Sequence, residues 1–167
     1  MARQIDSDAI EHLTDQHREV QELFGEIERA QNPEDRAAFF SDLADKLAIH
    51  ATLEERFFYP AVRAARTEDL VLGSLAEHAG IKRLLADLLE ADPSDPSFEA
   101  GLRTLEGRVA EHIEEEELQL FPAVSLVLSH EELASMAQQM TALEPDLEER
   151  GPRALLADGL EARPPAG

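Results

Sequence analysis

The chain repeats itself. HATLEERFFYPAV runs from His50 to Val62, and HIEEEELQLFPAV runs from His112 to Val124, 62 residues later. His, Glu, Glu, Pro, Ala and Val recur in register while most residues between them differ. A histidine also precedes each stretch at nearly the same distance: His17 lies 33 residues before His50, and His78 lies 34 before His112. A duplicated helical hairpin explains both agreements with one event and implies an internal two-fold axis.

Apolar spacing supports helices in both halves. Ile10, Leu13, His17, Val20, Phe24 and Ile27 step by three or four, as do Leu43, Leu47, His50, Glu54 and Phe57. Leu75, His78, Ile81, Leu85 and Leu88 form a third stripe, and Leu105, Val109, His112, Glu116 and Leu120 a fourth. Such stripes face inward in an up-down-up-down four-helix bundle. The first run starts near Ser7 and ends around Gln31; Asn32-Pro33-Glu34-Asp35 supplies a cap, a first-turn proline and acids for the second, which continues to about Arg66. Thr67-Glu68-Asp69 opens the third, a proline-rich loop from Asp92 to Ser97 ends it, and the fourth begins near Phe98. A short fifth helix is expected around Glu131 to Leu143, so that residues 1–144 form the bundle domain and 145–167 a flexible tail. Pro60 and Pro122, at equal offsets from His50 and His112, should kink or end their helices alike. The fold class is all-α.

Ionisable residues occupy the middle of every apolar stripe. Residues at i and i+4 share one helix face, so His50 with Glu54, and His112 with Glu116, each aim an imidazole and a carboxylate at one point. His17 and His78 lie on the stripes of the other two helices. Counting residues from the loops at about 1.5 Å per residue puts all six in one layer to within a turn. A lone histidine on an apolar face is ordinarily a core residue hydrogen-bonded to a neighbour. Two glutamates and four imidazoles buried together are different, because each desolvated carboxylate costs several kcal/mol unless a cation compensates it. The metal-ligand set read from the sequence is therefore His17, His50, Glu54, His78, His112 and Glu116.

Imidazole and carboxylate without thiolate suit iron, manganese or zinc, and the chain has no cysteine. Six donors exceed the four of a structural zinc site. Two six-coordinate metals need about twelve positions; four histidines, two bridging glutamates and a bridging oxo or hydroxo group fill about ten, leaving about two for a small molecule. Two iron ions fit this arithmetic best, ahead of manganese, zinc or a mixed pair.

The order H…HxxxE…H…HxxxE, as His17, His50-Ala-Thr-Leu-Glu54, His78 and His112-Ile-Glu-Glu-Glu116, resembles the hemerythrin-like family, also called the HHE cation-binding domain, over about residues 7 to 128. The resemblance implies a non-haem di-iron centre bridged by carboxylates, with roles in binding O2, in sensing O2, NO or iron, or in handling peroxide. The oxygen-carrying members have a further histidine one turn after the third helix's histidine, where this chain has Lys82. Their fourth helix pairs its histidine with an aspartate at a spacing of five, where this chain has Glu116 at four. The pattern is closer to the hemerythrin-like subgroup whose activities diverge. No attached output region and no cysteine-bearing leader are expected.

Two function classes remain open on the residues: a di-iron protein that binds or reduces a small oxidant, with or without turnover, and a sensing module that signals through a protein partner whose nature the sequence leaves unknown. The ligand in either case is a small diatomic or peroxide. A net charge of −21 argues against nucleic-acid partners. The lack of a long apolar run argues against a membrane and for a cytoplasmic protein. No nucleophile elbow, phosphate loop or HExxH motif appears. His12, about 140° around the helix from His17, is expected on the surface, and His130 in a loop. Tyr59, five residues past Glu54, falls off the inward stripe unless the turn before Pro60 is distorted. Glu55, Glu115 and Glu117 are expected on outer faces or behind the ligands as supporting acids, with Glu115 near enough in phase to orient a histidine. Leu13, Val20, Leu47, Phe57, Ile81, Leu85, Ile113 and Leu120 should surround the centre.

Overall fold

A computed structural model describes residues 8–63 and 67–161, with the side chains of 158–161 left aside. Ser7, the expected first cap, lies outside them; Asp8 caps instead, accepting from the Glu11 amide at 2.9 Å. Helix α1 spans Ala9–Arg29 and α2 Pro33–Leu53, the latter capped by Asn32 through the Asp35 amide at 2.8 Å. After one irregular turn, α2 is continued by the short α3, Tyr59–Val62. Helix α4 spans Glu68–Glu90 and α5 Pro96–Glu115, capped by Asp95 with Pro96 in its first turn; a second irregular turn leads into α6, Phe121–Ser125. Among the described residues there is no strand, and no helix is long and apolar enough to cross a membrane.

The hairpins pack as the repeat requires: α1 lies along α2, α4 along α5, and α2 meets α4 across the bundle. Their inward stripes are buried. Leu13, Val20 and Ile27 from α1, Leu43 and Leu47 from α2, Ile81 and Leu85 from α4, and Leu105 and Val109 from α5 join one core. Close approach of α4 and α5 depends on Gly101, where a Cβ would lie 2.8 Å from Leu88 Cδ2. No side chain fits there without displacing that leucine.

The two prolines neither end nor simply kink their helices. Each follows a single π-helical turn, at Glu54–Phe58 and Glu116–Leu120, in which the amide of Tyr59 bonds to Glu54 O and that of Phe121 to Glu116 O. Proline cannot donate the next backbone bond, and a widened turn just before it relieves the ladder; such turns recur at functional sites. A π turn restores residues five apart to one face. Tyr59 is therefore buried beneath Glu54, the distorted turn before Pro60 being the stated exception to its place off the stripe. Phe58 is fully buried as well, while Phe57 is displaced to a surface groove beside Leu128 and Met136 rather than surrounding the centre.

The flexible tail expected from residue 145 is also corrected. Helix α7 runs from His130 to Arg150, straight through Pro145, and α8 spans Pro152–Glu161; residues 162–167 lie outside the described part. A capping box of Ser129 and Glu132 starts α7. Gly151, at φ 82°, ends it, and Pro152 opens α8 at the first helical position. Leu133, Met140 and Leu147 from α7, with Leu155 and Leu156 from α8, are buried in the common core. That apolar burial outweighs the backbone bond Pro145 removes. Helix α7 rests on α1 and α2, while α8 rests on α2 and α4, where Arg153 donates to Leu89 O at 2.9 Å.

Candidate metal centre

All six side chains selected from the sequence meet in the interior, each no more than 4% exposed. The histidines form two pairs, one from each hairpin: the rings of His17 and His50 are 4.8 Å apart between centroids, and those of His78 and His112 are 4.6 Å apart. The glutamates lie between the pairs and reach both. Glu54 Oε1 stands 2.8 Å from His50 Nε2, 3.2 Å from His78 Nε2 and 3.7 Å from His112 Nε2. Glu116 Oε1 stands 3.1 Å from His17 Nε2, 3.2 Å from His112 Nε2 and 3.7 Å from His50 Nε2. The i, i+4 pairs of α2 and α5 thus face one another across the pseudo-two-fold axis.

Several of these atoms converge without hydrogen bonding. His50 Nε2 and both carboxylate oxygens of Glu54 are buried and have no hydrogen-bond partner. The 2.8 Å between His50 Nε2 and Glu54 Oε1 is therefore a close approach lacking hydrogen-bond alignment. Two donors each about 2.1 Å from one cation and at right angles stand about 3 Å apart, so this spacing matches neighbouring ligands on a shared ion. His50, Glu54, His112 and Glu116 each offer an atom within 4.8 Å of the others, a group able to hold a metal ion. The chemistry of the donor set fits a hard or borderline cation.

The outward ring nitrogens are supported across helices. His17 Nδ1 bonds to Glu117 Oε2 at 2.9 Å, and His78 Nδ1 to Glu55 Oε2 at 3.0 Å. These acids sit one residue after Glu116 and Glu54 and take the supporting role, one of the two expected of them: each fixes a histidine with its Nε2 turned inward. Glu117 pairs with Arg18 and Glu55 with Lys82. His50 Nδ1 bonds to Gln16 Oε1 at 2.8 Å, and Glu77 Oε1 stands 3.5 Å from His112 Nδ1. Glu115 touches no histidine; its neighbour is Glu77. Gln16 and Glu77 escaped the sequence reading, although each immediately precedes the histidine of its helix, a matched position in the two halves. His12 is less exposed than expected, its side chain 20% accessible and bonded to Glu144, whereas His130 faces solvent.

Tyr59 completes the layer. Its hydroxyl donates to Glu116 Oε2 at 2.9 Å and lies 3.1 Å from His78 Nε2. Burial, reinforced by Glu54 and Glu116, pushes the phenol well above its ordinary range. Phe121 holds the matching position in the other half, stacked on His17 at 5.8 Å.

With protons as the only cations, the carboxylates favour the charged form of His50, His78 and His112. Burial alone would lower His50, but Glu54 and Glu116 raise it to about 9. Burial opposes the shift at His112 too, and Glu116, Glu54 and Glu77 raise it to about 12. Glu54 is held well below the usual carboxylate range: burial would raise it, and His50 and His112 outweigh that. The two buried carboxylates thus draw positive charge onto their neighbours, a role that a bound cation could take over from protons.

A cavity of about 20 Å³ adjoins the four histidine rings, walled by Val20, Leu47, Ile81, Leu85 and Ile113. It has room for a molecule the size of water or a diatomic gas. Leu13 and Leu120 are buried in the same core.

The model of the "Hemerythrin HHE cation binding domain" matches residues 8–124. The chain is 31% identical over 134 residues to a DNA nickase of Nostoc sp. strain PCC 7120, across 80% of this chain but only 38% of the nickase. It is 30% identical over 112 residues to protein Rv2633c of Mycobacterium tuberculosis, across 66% of this chain and 68% of that one. The crystal structure of an HHE cation-binding domain-containing protein from Mycobacterium kansasii, a homolog of Rv2633c, superposes with a TM-score of 0.78 at 28% identity, covering 92% of this chain and 99% of that one. By these matches the chain belongs to the hemerythrin HHE cation-binding domain family.

Proposed function

We propose that His17, His50, Glu54, His78, His112 and Glu116 hold two iron ions, and that the centre binds, senses or reduces a small oxidant such as O2, NO or H2O2. The observation that carries this reading is the set of buried, unpartnered donor atoms on His50 and Glu54. The even division of histidines into two pairs, with a glutamate reaching both, supports two ions rather than one. The Tyr59 hydroxyl, within 3.1 Å of both a histidine nitrogen and a glutamate oxygen, is a seventh donor on the His78–His112 side. Manganese or a mixed pair would suit the same donors less well than iron.

Iron supplies the redox chemistry when bound. The protein's part is positioning and exclusion. Glu117 and Glu55 keep the protons of His17 and His78 on Nδ1, so that Nε2 presents a lone pair inward. The apolar cavity admits a small uncharged molecule and keeps bulk water from the site. Before iron binds, the Tyr59 hydroxyl donates its proton to Glu116 Oε2.

Nucleic acid is not part of this reading. One relative is a nickase of DNA, but this chain spans 38% of that protein, and its net charge of −21 repels phosphate. A cytoplasmic setting is consistent with the same composition.

Adding H2O2 to anaerobic ferrous protein tests the proposal and divides its two forms. Many turnovers per centre identify an enzyme, and a single stoichiometric oxidation identifies a carrier or sensor. Failure to retain more than a trace of iron, with no change on replacing His50 and His112 by alanine, would refute an iron centre.

A further inference from the structure

Helix α7 lies beyond the matched family segment of residues 8–124, yet it reaches toward the centre through three side chains. Gln16 of α1 accepts from His50 Nδ1 through Oε1 at 2.8 Å. Its Nε2 donates to Glu144 Oε1 of α7 at 2.9 Å. His12, one turn before Gln16 on α1, donates from Nε2 to the same Glu144 oxygen at 2.5 Å. The chain of contacts runs from a buried imidazole to the surface, where His12 and Glu144 are 20% and 23% exposed.

A glutamine amide is ambiguous by itself, because it can turn either its oxygen or its NH2 toward a neighbour. A carboxylate only accepts. Glu144 therefore forces Nε2 of Gln16 toward α7 and, by the planarity of the amide, its oxygen toward α2. An oxygen facing His50 fixes the imidazole proton on Nδ1 and leaves Nε2 with its lone pair inward, beside Glu54. Were the amide to turn over, its NH2 would face His50, and the tautomer with the proton on Nε2 would be favoured instead. That tautomer cannot ligate a metal through Nε2. His17 and His78 need no such relay, since their hydrogen-bond partners Glu117 and Glu55 are themselves carboxylates, and the carboxylate of Glu77 stands 3.5 Å from His112 Nδ1 without a hydrogen bond.

We propose that Glu144 is a positioning residue for the metal centre: by orienting the Gln16 amide it sets the His50 tautomer, making α7 a working part of the site rather than an external brace. This rests on the proposed binding of two ions. His12, from the same helix as Gln16, holds that Glu144 oxygen in place with a second hydrogen bond.

The test is anaerobic titration of the full chain with ferrous iron against a competing chelator, comparing Glu144→Leu, Gln16→Glu and the double variant. Glu144→Leu should weaken one of the two iron equivalents by about 10- to 100-fold, the range expected for loss of an outer partner of a ligating histidine, and spare the other. In the Gln16→Glu background, a carboxylate accepts from His50 directly and Glu144 becomes a like charge beside it. Glu144→Leu should there leave affinity unchanged or raise it. A purely structural role for Glu144 predicts the same loss in both backgrounds, and that result would overturn the proposal, as would Glu144→Leu binding both equivalents normally. Unsubstituted chain that takes up no iron would instead overturn the metal reading beneath it.

Discussion

The two hairpins share a ligand pattern and differ in what surrounds it. His17 and His50 are backed by Glu117 and Gln16, with the apolar ring of Phe121 stacked on His17. His78 and His112 face Glu55 and Glu77, with the hydroxyl of Tyr59 directed into the layer. The supporting ion pairs differ as well. Arg18 beside Glu117 is 52% exposed in its side chain, whereas Lys82 beside Glu55 is 10% exposed. Duplication thus preserved the donors while their partners diverged, and the two halves of the layer are chemically unequal: one side richer in anionic groups, the other in neutral and apolar neighbours.

Removing a shared glutamate should have the largest effect. Since Glu54 and Glu116 each reach both histidine pairs, Glu54→Ala or Glu116→Ala is expected to lose both iron equivalents, while His17→Ala should retain the equivalent on the His78–His112 side. Metal analysis after gel filtration measures this, and equal losses from all three would show that the halves do not act as separate positions.

Tyr59→Phe should keep both equivalents but remove a visible phenolate-to-ferric absorption band, and Phe121→Tyr should place a comparable chromophore on the opposite side. If the ferric protein lacks such a band from the outset, Tyr59 is not a donor.

Stability should separate the ion pairs. Breaking a pair at a site as buried as Lys82 costs about 3–5 kcal/mol, whereas an exposed pair such as Arg18 with Glu117 contributes about 1 kcal/mol or less. Urea unfolding of metal-stripped Glu55→Ala against Arg18→Ala should reproduce that order.

The mildest effect concerns pH. An imidazole raised above its ordinary 6.5 contributes stability that is complete below that value and is lost as pH rises through its folded value, about 9 for His50 and about 12 for His112. Metal-stripped protein should therefore grow less stable from pH 7 to 10, and bound metal, replacing those protons, should flatten the profile. A profile that rises over this range would contradict the charge balance described for the centre.

How much of this was legible in the residues follows from the range of the interactions. The six converging donors could be read because i, i+4 spacing along a regular helix places a side chain without knowledge of any neighbour. The Asn32-Pro33 start was readable for the same reason, since caps are local, whereas Asp95 and Pro96, read as loop, cap and open α5. Phe57 was misplaced, and Tyr59 placed only conditionally, because one π turn changes the helical phase, and that turn is visible only as a proline following the repeat. Glu55, Glu117, Gln16 and Glu77 act across helices, so nothing along their own helix marks them except their recurrence beside matched histidines. The C-terminal segment looked like a linker because Pro145, Gly151 and Pro152 punctuate polar sequence. Gly151 and Pro152 are in fact the stop and start of successive helices, and Leu147, Leu155 and Leu156 supply the burial that holds them.

The widened turns carry a lesson about chain length. A π turn amounts to an α-helix with one surplus residue, so an unbroken α-helix of the present length would carry residue 59 about 140° around from Glu54. The phenol would leave the interior although no residue of the centre had changed. What this protein's inner chamber can react with is set by a count of backbone units as firmly as by the identity of any side chain.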